Sequence, residues 1–228
     1  MRAGMAEVPA LLRRWAAAAL PPGRPLPGGR GGTAVYVLAP DVPVVLRPYR
    51  RGGAVARLNA TRYLGFAPRP FAELRASVAL AAAGVPTPEA LGAAVWWDLP
   101  GVYRGALMTR EISGACNLWQ YLQRAAPVAR AAACAAAAAV ARRLHDAGAR
   151  HPDLNLQNFL VRSRADGVDA WLIDLDGVRF APATPAVRRA ALARVCRSIR
   201  KLDPESALIT LACVEALQAI AEAEEEKP

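Results

Sequence analysis

The chain has 228 residues, 54% of them apolar and 21% charged, a balance that excludes an intrinsically disordered segment and permits one large domain or two small lobes. Its 29 Lys and Arg against 19 Asp and Glu leave a net charge of +10, which favours anionic partners such as nucleic acid, phosphorylated small molecules or an acidic membrane surface. The longest charge-free apolar helical run, Ala131 to Ala141 between Arg130 and Arg142, falls well short of the ~20 residues that a bilayer span requires.

In chain order, residues 1 to 20 read as a short amphipathic helix. Arg13 and Arg14 precede an apolar stretch, Trp15 to Leu20, that ends at Pro21-Pro22 and is too short for an export signal, so a cytoplasmic chain is expected. A Pro/Gly stretch from Pro21 to Gly32 follows, then strand-like segments at Thr33 to Leu38, Val42 to Tyr49 and Ala54 to Leu58, with Gly52-Gly53 as a turn. Pro70, Phe71, Leu74, Val78 and Leu80 have helical spacing, and Gly84-Val85-Pro86 ends that helix. Apolar segments near Gly92 to Trp97 and Tyr103 to Thr109 precede a helix-rich half. Its longest helix is Pro127 to Ala147, where alanine has the highest helix propensity and Gly148 is the stop. Strands at Phe159 to Arg162 and Ala170 to Leu175 interrupt it before further helix from Pro185 to Ala223. Strand-rich first and helix-rich second implies two lobes with a boundary near 110 to 116. Cys116, Cys134, Cys196 and Cys213 form no C-x-x-C pair and there are two histidines, which argues against zinc and, in a cytoplasmic chain, for free thiols.

Four features carry chemistry through their order. Gly28-Gly29-Arg30-Gly31-Gly32 leads into a strand, and glycines let a backbone close over phosphate oxygens, although most glycine clusters are plain turns. Arg47 ends the next strand and Glu73 lies on the following helix; such a pair holds phosphates in register or is a surface ion pair. His151 to Asn158 has the pattern H-x-D-x-x-x-x-N, in which Asp153 can orient a substrate hydroxyl and Asn158 can offer a neutral oxygen to Mg²⁺. Trp171 to Asp176 sets Asp174 at the end of an apolar strand, where a hard cation is the natural partner for a carboxylate. The 16 residues from Asn158 to Asp174 suffice for a β-hairpin that brings the two together.

This order resembles the protein-kinase-like superfamily and, more narrowly, the bacterial lipopolysaccharide kinase family with its 3-deoxy-D-manno-octulosonic acid (Kdo) kinases. The residues that carry the likeness are Leu46-Arg47-Pro48-Tyr49-Arg50-Arg51-Gly52-Gly53, Arg62 to Leu64, the Glu73 helix ending in Ala83 to Pro88, Met108 to Gly114, and Leu144-His145 with His151 to Asn155. The resemblance implies an α+β, protein-kinase-like two-lobe fold, with an antiparallel sheet plus one helix in the N-lobe and a mostly helical C-lobe. It implies an N-terminal helix and linker at 1–27, a nucleotide-binding lobe at 28–110 and a catalytic lobe with an acidic tail at 111–228. By the same likeness Asp153 is the catalytic base, Asn158 and Asp174 are metal ligands, and Asp176 is an auxiliary metal or substrate contact. Gly29, Gly31, Gly32, Arg47, Glu73 and the hinge residue Glu111 would bind the nucleotide. The implied cofactors are ATP and Mg²⁺, and the implied reaction is phosphorylation of the 4-hydroxyl of Kdo on a lipid A precursor. Alternatives are a heptose kinase or another small-molecule kinase, or a nucleotide-binding pseudokinase, because Arg47 replaces the lysine most kinases use.

Only Gly177 to Thr184 separates Asp176 from the next helical stretch, which leaves no room for a peptide-binding activation loop and points to a small or lipid-linked acceptor. The expected partners are therefore a lipid-linked sugar and, peripherally, the anionic cytoplasmic face of the inner membrane, with neither nucleic acid nor a protein substrate. The helix with Leu11, Leu12, Arg13, Arg14 and Trp15 either lies on that surface or docks onto the fold. His145 and His151 read as supports of the catalytic loop; Trp96, Trp97 and Trp119 read as core or hinge packing. Arg50, Arg51, Arg62 and Arg69 either meet the acidic acceptor or are solvated surface charges.

Overall fold

The computed structural model describes residues 5–26, 33–38, 40–50 and 61–222. Gly29, Gly31, Gly32, Arg51 and the strand expected at Ala54 to Leu58 lie outside the described residues. The chain divides into two units, Met1–Val78 with Pro88–Ser113 and Ala79–Thr87 with Gly114–Pro228.

The first unit is built on a fully antiparallel sheet of six short strands: β1 (Arg24–Pro25), β2 (Ala34–Leu38), β3 (Val42–Pro48), β4 (Tyr63–Leu64), β5 (Ala90–Leu99) and β6 (Val102–Arg110). β6 pairs with β3 and β4 along one side and with β5 along the other, so it is the sheet's organising strand. Alternation along β6 sends Ala106 and Met108 into one cluster, with Val44, Leu46 and Leu91, and sends Tyr103 and Leu107 into another, with Tyr49 and Tyr63. The first cluster is closed by α1 (Val8–Ala16), whose Val8, Leu11 and Leu12 are buried in it. Gly92 makes this possible, since a Cβ there would stand 3.0 Å from Val8 and 3.2 Å from Leu12. The N-terminal helix ends at Ala16, earlier than its sequence pattern predicts, just before Ala18 at φ +54°, and it docks onto the sheet by burying its apolar face there. α2 (Arg69–Ala82) starts over the tyrosine cluster, where the Arg69 N–H donates to the Tyr103 hydroxyl at 3.1 Å.

The second unit centres on α4 (Pro127–Asp146), whose Ala133, Cys134, Ala137, Ala138, Ala141 and Leu144 are fully buried. Alanine at i, i+3 and i+4 lets neighbouring elements approach closely. Around it lie β7 (Cys116–Asn117), α3 (Leu118–Leu122), β8 (Ala149–Arg150), β9 (Phe159–Arg164), β10 (Gly167–Leu172), β11 (Arg179–Phe180), α5 (Pro185–Leu202) and α6 (Leu211–Gln218). Asn117 caps α3 reciprocally with Gln120, a capping box spelled by the sequence N-L-W-Q. β9 and β10 form the expected hairpin, and β11 pairs with β8.

Three expectations need correction. The helix predicted from Pro185 to Ala223 is two helices, because the Asp203 carboxylate accepts from the backbone N–H groups of Ala207, Leu208 and Ile209 and turns the chain. β10 ends at Leu172, so Asp174 lies beyond the strand, at φ +60°. Trp96 and Trp97, expected as core or hinge packing, are about half exposed, although Trp97 meets the buried Tyr103 edge-on, whereas Trp119 does pack against the core of the second unit. The four cysteines are free thiols, and among the described residues no helix is long and apolar enough to cross a membrane.

Candidate active site

In the first unit, Arg47 leaves β3 beside a buried carboxylate. Its Nη2 lies 2.6 Å from Glu73 Oε1 and 2.5 Å from Oε2, and the Glu73 side chain is only 3% exposed. Tyr49 completes the arrangement: its hydroxyl donates to Glu73 Oε2, and its ring lies 4.9 Å beneath the Arg47 guanidinium. A lysine could not stack in this way; the planar guanidinium can. Sequence reasoning paired Arg47 with Glu73 but missed Tyr49, although a spacing of two from Arg47 on an extended chain puts both side chains on one side. Glu111, the expected hinge residue, donates its N–H to the Pro43 carbonyl at 2.9 Å and binds Arg24 Nη2 through Oε1 at 2.5 Å.

In the second unit, the segment His151 to Asn158 is pinned from below by Leu154 and Leu156, both fully buried. Asn155 caps the short 3-10 turn Leu156–Asn158 by accepting from the Gln157 N–H at 2.9 Å. This anchoring leaves Asp153 exposed above the loop. The buried Asn158 amide nitrogen donates to the Asp153 carbonyl at 2.7 Å, tying the two candidate positions together. The Asn158 carbonyl in turn accepts from the Ile173 N–H at 2.9 Å, which fixes the residue immediately before Asp174. The hairpin β9–β10 therefore returns Asp174 to the foot from which the chain departed. Asp174 is held in the left-handed region between that bond and the buried Leu175, a conformation that short polar side chains tolerate best. Two residues further, Asp176 is followed by Gly177 at φ +77°, where a Cβ would lie 3.4 Å from the Pro152 ring.

His151 is the keystone of this loop. Its Nδ1 accepts from the Asp153 N–H at 3.1 Å, and its Nε2 points to the Ile173 carbonyl at 3.4 Å. Both contacts suit one neutral tautomer. Burial drives the His151 pKa below the ordinary imidazole range, outweighing the hydrogen bond to Ile173 and the nearby Asp174 and Asp153 charges, which pull it upward. His145, buried at the end of α4, is pushed down to about 4 by desolvation and then by Arg188. Both histidines are neutral scaffolds. Among the described residues no three His, Cys, Asp or Glu side chains gather as a metal site, so Asp153, Asp174 and Asp176 form no tri-carboxylate cluster.

An antiparallel sheet bearing an Arg–Glu pair, together with a helical unit bearing an H-x-D-x-x-x-x-N loop beside a turn aspartate, is the kinase-like α+β fold that the sequence leads one to expect. A solved structure of WaaP in complex with acyl carrier protein shares this fold at a TM-score of 0.58 and 21% identity, over 91% of this chain and 81% of that one. The model of the lipopolysaccharide kinase (Kdo/WaaP) family matches residues 26–211. A 3-deoxy-D-manno-octulosonic acid kinase of Xanthomonas oryzae pv. oryzae (strain PXO99A) is 40% identical over 179 residues, 77% of this chain and 68% of the relative. One of Stenotrophomonas maltophilia (strain R551-3) is 37% identical over 198 residues, 85% and 74% of the two chains. The chain belongs to the lipopolysaccharide kinase (Kdo/WaaP) family, and as such is a kinase of lipopolysaccharide core biosynthesis that transfers phosphate to an alcohol.

Proposed function

We propose that the chain transfers the γ-phosphoryl group of ATP to the 4-hydroxyl of Kdo on a lipid A precursor, at the cytoplasmic face of the inner membrane. The observation that carries the reading is the bonded chain Asp153 carbonyl, Asn158 amide, Asn158 carbonyl, Ile173 N–H, which holds a candidate base and two oxygen donors on one rigid hairpin foot. The Kdo assignment rests on the names of the relatives, the reaction type on these residues.

Asp153 aligns the acceptor hydroxyl and accepts its proton as the oxygen attacks. Asn158, its nitrogen already committed, offers Oδ1, and Asp174 offers a carboxylate; this all-oxygen pair suits Mg²⁺, which prefers one or two protein ligands plus phosphate and water. A cation held there supplies charge neutralisation on the β- and γ-phosphates. Asp176 is an auxiliary contact to the metal or the acceptor. Arg47, oriented by Glu73 and Tyr49, clamps phosphate oxygens, and Gly29, Gly31 and Gly32 would cover them. At Glu111, whose N–H and carboxylate are both engaged, a nucleotide contact falls to the carbonyl. The rate enhancement comes from positioning and electrostatics.

The segment after Asp176 supports a small acceptor. It is tied down within a few residues, by the β11–β8 pair and by Thr184, whose Oγ1 accepts from the Val187 N–H to cap α5. No peptide-seating loop intervenes.

The test is phosphate incorporation from Mg-ATP into a Kdo-bearing lipid A precursor, with heptose acceptors in parallel. The wild-type chain should label Kdo, and Asp153→Asn should lower kcat by about 10²–10⁴ while nucleotide binding persists. Absence of labelling, labelling of heptose alone, or full activity in the variant would refute the reading.

A further inference from the structure

Exposed apolar side chains and positive charge fall in the same unit. Of the eleven large apolar side chains exposed among the described residues, five stand at one end of the sheet: Leu64 (72% exposed), Phe66 (81%), Trp96 (47%), Trp97 (44%) and Leu99 (65%). The strand registers explain the grouping. Leu64 and Leu99 both face Val102, from opposite sides of β6, and Trp97 faces Tyr103 one step inward. Phe66 stacks on Trp97 with centroids 6.3 Å apart and lies over Gly101 in the β5–β6 turn. Arg62 and Arg104 flank this tip, sharing Asp98 at 2.7 and 3.1 Å.

The unit that carries the tip, residues 1–78 and 88–113, contains fourteen arginines, no lysine and six carboxylates, a charge of +8 out of the chain's +10. Its other amphipathic element, α1, has spent its apolar face on the sheet. A cluster of exposed aromatic and aliphatic side chains at one end of a sheet is unusual on a soluble surface. Aromatic side chains beside arginines suit the boundary between headgroups and acyl chains, and a surplus of positive charge draws such a tip to anionic lipid. Two copies of a unit charged +8 would repel each other, which disfavours a homodimer through the same patch.

We propose that the tip formed by Leu64, Phe66, Trp97 and Leu99 inserts into an anionic bilayer surface and holds the enzyme there by this edge of its first unit. The proposal deepens the reading that the acceptor is lipid-linked, but docking itself requires no acceptor.

The full chain should co-sediment with vesicles of phosphatidylglycerol in phosphatidylcholine, weakly or not at all with pure phosphatidylcholine, and less as salt rises. The triple variant Leu64→Ser/Phe66→Ser/Leu99→Ser, all at exposed positions, should bind anionic vesicles at least about tenfold more weakly. Its melting temperature and its phosphorylation of a water-soluble, deacylated acceptor should match the wild type. Equal vesicle binding by the variant overturns the proposal, as does wild-type binding that ignores lipid charge. So does a variant that fails equally on the soluble acceptor, or a tip shown instead to bind a soluble acidic protein or a second copy. The vesicles contain no acceptor, so a wrong sugar assignment would appear only in the phosphorylation arm.

Discussion

Glu73 illustrates how much a single buried carboxylate asks of its neighbours, for it has both an arginine and a tyrosine as donors inside the first unit. Removing the tyrosine hydroxyl leaves that carboxylate short of a partner, so Tyr49→Phe should cost about 1–3 kcal/mol in urea unfolding and raise KM for ATP more than it lowers kcat. Arg47→Lys keeps the charge but loses the stack on Tyr49, and should weaken nucleotide binding without abolishing it. The histidines set a pH dependence. Their folded pKa values lie below the ordinary 6.5, at about 4 for His145, so the folded state binds fewer protons than the unfolded chain between those limits. Stability is therefore full above pH 6.5 and lost as pH falls towards 4, by roughly 3 kcal/mol for His145 alone. Melting temperatures measured across that range should fall with acidification, and His145→Gln should flatten the slope. At this scale the H-x-D-x-x-x-x-N spacing made Asp153, Asn158 and His151 legible in advance. The tautomer of His151 was not, because the carbonyl that accepts from its Nε2 belongs to Ile173, more than twenty residues away.

Among the elements, those with a local cause were readable and those with a distant one were not. Alanine propensity announces α4, and alternating apolar residues announce β5 and β6. The division of α5 from α6 was legible but overlooked: Asp203-Pro204-Glu205-Ser206 interrupts the apolar pattern with a proline that cannot continue a helix. The break is made by Asp203, whose pKa burial would raise but which the N–H groups of Ile209, Leu208 and Ala207 hold below the ordinary carboxylate value. Asp203→Ala should strand those donors and destabilise the chain by about 2–4 kcal/mol, read as a lower midpoint in chemical denaturation. Asn117→Ala, which removes one half of a capping box, should cost about 1 kcal/mol. Trp96 and Trp97 were only half legible from residue type: Trp97 packs its ring edge-on against the buried Tyr103, yet both side chains stay about half exposed near the end of β5.

For the molecule as a whole, positive charge alone does not make a nucleic-acid reader. Any DNA or RNA retained by the chain should bind without sequence preference and lose about 10³-fold or more in affinity between ~50 and ~200 mM salt, as filter binding across a salt series would record. The division of the chain matters more. It passes between the units at 78/79, 87/88 and 113/114, and Leu80 and Val85 from the short middle passage are buried in the core of α4 and β10. A fragment beginning at Gly114 would expose the seats of both side chains and should aggregate, and one beginning at Ala79 would keep those side chains but carry β5 and β6 without β3 and should aggregate as well. During synthesis, then, nine residues that leave the ribosome among the first half must wait for the last half to emerge before they find their place. Neither unit can be inherited, swapped or truncated as a single cassette.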